Sequence, residues 1–178
     1  MNQDTSNIER AQVVFCEGVT VDGYRLPDGS FWVSITTASE AVGYSRVWLS
    51  QNISRGANTF KALVKQGFSQ NILKLQTPSA GGPQMNKLIS LEDFNTLILY
   101  ATFKGKKEAI ALNKALVATS LQDFFRAAFG ERPLTIEEKR RIFYKEFAAS
   151  LSREDWLQMD REDMALIEEQ EKFLEGEL

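Results

Sequence analysis

Residues 12–35 are dominated by β-branched and aromatic side chains in short runs, 13–16, 19–21, 24–26 and 30–35, with Pro27-Asp28-Gly29 between the last two. That tripeptide predicts a hairpin: proline presets φ for the turn and glycine takes its positive-φ position. From residue 36 to residue 53 the apolar positions recur at helical spacing instead. Ala38, Ala41 and Val42 form one face, Gly43-Tyr44 interrupts it, and Val47, Trp48 and Leu49 lead on to Ile53. The pattern predicts two short helices joined by a glycine turn, the first capped by Thr36 or Thr37 and the second beginning at Ser45. Phe60, Leu63 and Val64 mark a weaker amphipathic segment over 59–67, which stops at Gly67.

Two short strands, 72–75 and 87–89, are expected next, flanking residues 77–84, a run of turn formers and small side chains. Such a loop is expected to be mobile, as a plain hairpin connection or as a flap. From Ser90 onward the pattern is helical. Ser90 with Asp93 approximates a capping box for a helix over 91–103, with Leu91, Phe94, Leu97, Ile98 and Ala101 inward. A longer helix over 106–129 carries Ile110, Leu116, Val117, Leu121, Phe124, Phe125 and Ala128 and stops at Gly130. Thr135 with Glu138, and Ser152 with Asp155, are capping boxes for helices over 136–149 and 153–174. The expected fold class is α+β: an N-terminal β-hairpin with helix-turn-helix-like helices, followed by a helical C-terminal half. Arg132-Pro133 is the expected boundary between a body, 1–131, and a tail, 132–178.

Charge follows the same division. Residues 1–150 hold 18 Lys and Arg against 14 Asp and Glu, whereas residues 151–178 hold 3 against 10. More locally, residues 41–91 contain none of the 24 acids but hold Arg46, Arg55, Lys61, Lys65, Lys74 and Lys87. A surface free of acids is what a phosphate backbone selects.

The absence of histidine excludes Ser/His/Asp and Cys/His nucleophilic sites, HNH-type nucleases and His-liganded metal centres. A single cysteine excludes a thiolate zinc site. No cofactor, metal or catalytic activity is expected. A magnesium-dependent nuclease would have to use Glu92-Asp93, or Asp22 with Asp28, which fall at a helix start and in hairpin turns. Cys16 lies in an apolar run and reads as a small buried strand residue, which fits a reducing compartment. No apolar run approaches the ~20 residues of a membrane span, and residues 1–10 lack the pattern of a signal peptide, so a cytoplasmic protein is expected.

Chemistry concentrates in the two short helices. Helix-turn-helix packing needs a small residue on helix one, glycine at the turn and apolar residues at fixed offsets. Ala38, Val42, Gly43, Tyr44, Leu49 and Ile53 supply these. The exposed positions of helix two are then Ser45, Arg46, Ser50, Gln51 and Asn52, with Arg55 beyond its end. Arginine can be bidentate to guanine, glutamine and asparagine to adenine, and serine can donate to phosphate. Lys61 and Lys65 extend this candidate interface for duplex DNA. Lys104-Gly105-Lys106-Lys107, in the turn between two helices, would clamp a phosphate or form a solvated loop. Trp48 is expected in the core, and Lys139-Arg140-Arg141 in surface ion pairs with Glu137, Glu138 and Glu146.

The order of hairpin, "FWVSITTASEAVGYSRVWLSQNI", a short strand and "LISLEDFNTLILYATFKGKKEAIALNKALVATSLQDFFRAAFG" resembles the BRO-N domain of phage antirepressors and baculovirus-repeated-ORF proteins. The resemblance covers roughly residues 20–130 and rests on Val42-Gly43-Tyr44, the strand-helix segment at 88–99, and Arg126 with Gly130. It implies DNA binding and regulation of phage or plasmid type. The tryptophan and proline that the family tends to carry in its last helix are missing from residues 113–130, and an acidic helical segment replaces the usual C-terminal antirepressor module. In that segment Trp156, Leu157, Met164, Ile167, Phe173 and Leu174 recur among acids, which suits homo-oligomerisation, a partner groove or packing on the body. A protein-interaction module or DNA mimic built on the acidic tail is the alternative to a DNA-binding regulator.

Overall fold

The computed structural model describes residues 8–77 and 82–152. The turn at Pro27-Asp28-Gly29 closes as its residue types require. Gly29 takes φ 84°, its N–H donates to Leu26 O at 2.9 Å, and Asp28 accepts from the Ser30 N–H. The turn joins β2 (Val19–Arg25) to β3 (Phe31–Ser34) as antiparallel neighbours, with Tyr24 opposite Trp32. β1 (Glu9–Cys16) pairs with the other side of β2 and begins before the apolar run. Its first residues are polar positions held across the ladder: Arg25 binds Glu9 at 2.6 Å and Arg10 binds Asp22 at 3.2 Å. Cys16, at the end of β1, is buried.

β4 (Leu73–Thr77) and β5 (Gln84–Ser90) form the second hairpin, and β5 joins β3 with Val33 opposite Ile89. The strands make one antiparallel sheet in the order β1-β2-β3-β5-β4. The tip of the loop expected to be mobile, 78–81, lies outside the described residues.

Three short helices intervene between the central strands: α1 (Ile35–Ala41), α2 (Trp48–Arg55) and α3 (Asn58–Lys65). α1 follows β3 without a connecting loop, so Ser34 takes the capping position and the expected caps, Thr36 and Thr37, lie inside the helix. The Thr37 hydroxyl is spent elsewhere, accepting from the Asp22 N–H at 3.0 Å and tying α1 to β2. α4 (Leu91–Phe103), α5 (Lys107–Ala128) and α6 (Ile136–Ser150) complete the described elements. Ser90 caps α4 by accepting from the Asp93 N–H, and Thr135 with Glu138 forms a complete capping box on α6.

The main core lies between the helices and one sheet face, where Val21, Val33 and Ile89 meet Ala38, Val42, Leu49, Leu63, Leu97, Leu112 and Ala115. Tyr24, Leu75 and Leu88 make a smaller cluster with Trp32 and Leu73. α6 shares the main core. Phe143 is buried and stacks on Phe15 of β1 at 5.5 Å, while Lys139 binds Asp123 of α5 at 2.7 Å. Residues 136–150, expected to open a separate tail, are thus packed on the body. The fourth predicted helix, over 153–174, and its Ser152–Asp155 box fall on residues 153–178, outside those described.

α5 divides along its length. Ala109, Ala111, Leu112 and Ala115 in its first half are buried, whereas Val117, Leu121, Phe124 and Phe125 are 50 to 72% exposed. No helix among the described residues is long and apolar enough to cross a membrane.

Candidate nucleic-acid interface

Gly43 sets the geometry of the turn after α1. Its φ of 82° is a left-handed conformation that costs a side-chain-bearing residue about 1 kcal/mol or more. The reversal lets the Tyr44 N–H donate to Ser39 O at 2.9 Å and places the Tyr44 ring flat on Trp48, centroids 3.8 Å apart and planes 2° from parallel. Trp48 in turn meets Tyr100 of α4 at 6.2 Å. At the end of α4, Gly105 takes φ 72° and turns the chain into α5. Here Lys106 places its ammonium 4.7 Å from the Tyr44 ring centre, and Lys104 lies 5.6 Å from that of Tyr100. Two turns far apart in sequence, 42–47 and 104–106, are therefore locked together by three aromatic rings with a lysine at each end. Such cation–π contacts each contribute about 0.5–1 kcal/mol at exposed sites. Burial, with the nearby Tyr100 adding to it, pushes the Tyr44 phenol up to about 12, so the ring carries a neutral hydroxyl.

The structure redistributes the predicted contact residues. α2 begins at Trp48 rather than Ser45, because Ser45 O accepts the Trp48 N–H at 3.0 Å in a turn. Ser45 and Arg46 consequently sit in the turn, exposed, not on a helix. Arg55 is the last residue of α2 and not beyond its end. Arg46 lies 3.5 Å from a Glu40 oxygen, and Glu108 lies against Gly43. Residues 41–91 are thus acid-free in sequence, but the surface around their first turn is not.

Ser50 accepts from the Lys87 ammonium at 3.1 Å, and the Asn52 amide donates to Trp48 O at 2.8 Å. Both side chains are turned onto the protein. Gln51, Arg55, Lys61, Lys65 and Lys107 are exposed, and their side chains have no hydrogen-bond or ion-pair partner among the described residues. Gln51 and Arg55 are four residues apart on α2, and Lys61 and Lys65 repeat that spacing on α3, so each pair shares a helix face.

Lys74 and Lys87, absent from the predicted contact set, enter through the sheet. They stand opposite each other on β4 and β5, and the bond to Ser50 brings that positive pair beside α2. The signal available in the sequence was their membership of the acid-free stretch. Among the described residues no three cysteine, aspartate or glutamate side chains come together. Asp93, one of the carboxylates considered for a nuclease, is 1% exposed, and its two oxygens accept from the Ser69 N–H at 2.6 Å and the Ser69 hydroxyl at 2.7 Å. No family model, curated protein or solved structure matches the chain, and the BRO-N resemblance gains nothing from these comparisons.

Proposed function

We propose that the protein is a regulatory DNA-binding protein that holds duplex DNA against α2, α3 and the joined turns at 42–47 and 104–107. The observation that carries this reading is the aromatic–lysine lock, which ties the turn that leads into α2 to the lysine cluster at 104–107. On α2, α3 and the second turn, Arg55, Lys61, Lys65, Lys104 and Lys107 have no carboxylate partner among the described residues. Unpaired cations held on rigid elements suit phosphate contacts, which fix register before any base is read. Gln51 and Arg55 are the pair chemically fitted to base edges. The reading involves no catalytic step, and a phage or plasmid setting is what the BRO-N resemblance implies.

Mobility shift of random and genomic duplexes across a salt series tests it. Affinity should fall linearly in log salt, with a slope of about −0.9 for each phosphate neutralised. Arg55→Ala should cost roughly 1–3 kcal/mol of binding, and Lys104→Ala should reduce the salt slope by about one. Arg46→Ala should matter less, because Glu40 already occupies that guanidinium. No retardation at ~50 mM salt refutes the proposal.

The exposed apolar face of α5 favours a second reading, a protein-interaction module, in which that face and not the basic one is the working surface.

A further inference from the structure

The C-terminal half of α5 presents Val117, Leu121, Phe124 and Phe125 at spacings of four, three and one, with Phe129 beyond the helix end at 79% exposure. Large aromatic side chains aligned on one helical face are costly to leave in water: each releases about 1.5–3 kcal/mol when covered. Beside this strip runs an apolar groove of about 610 Å³ between β1, α5 and α6, lined by Val13, Phe15, Leu116, Phe124, Ile136 and Phe143.

The occupant follows from chain direction, charge and pattern. α6 runs antiparallel to α5, since Leu134 and Lys139 bind Asp123 near the end of α5 while Phe143 reaches the level of Leu116. The chain therefore leaves Ser150 at the end of α6 remote from Phe129. A segment returning from there would pass along the exposed half of α5. Residues 117–129 span ~18 Å as a helix, and the interval from Trp156 to Ile167 would span ~16 Å. Of the α6 bases, Arg140 lines this groove, donates to Val14 O and has no carboxylate partner among the described residues, while residues 153–178 carry ten acids and three bases. Trp156, Met164, Ile167 and Leu174 recur among those acids at helical spacing.

We propose that residues 153–178 dock on the apolar strip of α5 within the same chain, their acids directed toward Arg140 in the adjoining groove. The folded protein then exposes little of this aromatic strip, and the tail is an internal cover, not a subunit contact.

Thiol labelling tests the proposal in the full chain. Cys16 is buried and its thiol is pushed up by burial, so it gives a slow background. A reporter is placed by Leu121→Cys, with Phe124→Cys as a second position; both sites lie on the protein surface and tolerate a smaller side chain. The reporter should label slowly, at a rate independent of protein concentration. Adding Trp156→Asp with Ile167→Asp should speed labelling by about tenfold or more, as expected for release of a local cover. Fast labelling in the parent chain overturns the proposal, as does slow labelling that the tail substitutions leave unchanged. Slow labelling that deepens with concentration, with a doubled mass in sedimentation, assigns the strip to a second copy and overturns it as well.

Discussion

Asp93 is a buried carboxylate with no cation beside it, and replacing it measures what its two bonds contribute. Both oxygens accept from Ser69, at 2.6 and 2.7 Å, and the residue lies in the first turn of α4, where the helix dipole favours negative charge. Hydrogen bonds to a charged group contribute about 1.5–3 kcal/mol each, and the dipole adds about 0.3–1 kcal/mol. Ser69 is exposed, so water recovers part of the loss when its partner is removed. Strain also offsets it: Gln70 next to Ser69 is the non-glycine residue at positive φ, 64°, and relaxing it returns about 1 kcal/mol. Asp93→Ala should therefore destabilise the protein by about 2–4 kcal/mol. Asp93→Asn, which keeps one acceptor, should cost about half as much. Urea unfolding at neutral pH, with the slope unchanged, is the assay. A loss below about 1 kcal/mol in Asp93→Ala would show that the clamp between the α3–β4 connection and α4 carries no stability, and the reasoning would fail.

At Gly43, a Cβ would meet the Glu108 carboxylate as well as the unfavourable φ of 82°, so Gly43→Ala should cost about 2 kcal/mol or more in urea unfolding. Adding Glu108→Ala should recover the steric part and leave the backbone part; full recovery would refute the φ argument. Glu138 is held down to about 2 from its ordinary 4.5, first by its bonds to Arg132 and then by the Thr135 N–H. A lowered folded-state value stabilises above 4.5, and that contribution disappears as pH falls from 4.5 toward about 2. Glu138→Gln should flatten acid unfolding across that window, and an unchanged acid limb would exclude the Arg132 pair and the capping box as its source.

Local signals carried much of the fold. The turn at Pro27-Asp28-Gly29, the caps at Ser90 and Thr135 and the stop at Gly130 are decided by groups within four residues of one another, and they set the element ends where expected. Features decided by distant groups were not legible. Thr37 falls inside α1 because the helix begins directly after β3, and its hydroxyl accepts from a strand amide fifteen residues earlier. The meeting of Trp48 with Tyr100 of α4, more than fifty residues later, leaves no such local signal. At the candidate site, sequence identified the basic stretch and the second cluster at 104–107, but not that Tyr44 and Tyr100 join them. Nor did it show that Glu40, just before the acid-free stretch, reaches Arg46. Helical periodicity marked the apolar face of α5, yet periodicity records only that a face is apolar, not which part the body covers.

The sheet order has a consequence for how the basic face comes to exist. β1, β2 and β3 form a local meander and β4 with β5 a local hairpin, but β3 and β5 are neighbours across residues 35–83. Pieces of short sequence separation assemble quickly, whereas the seam of Val33 opposite Ile89 must first bear the entropy of closing that long loop. α1, α2 and α3 lie inside the loop, so the Tyr44–Trp48 stack is carried by the segment whose two ends the seam joins. Val33 and Ile89 are 2% and 0% exposed in the main core, so truncating either would loosen the seam that holds the two ends of this helical segment together.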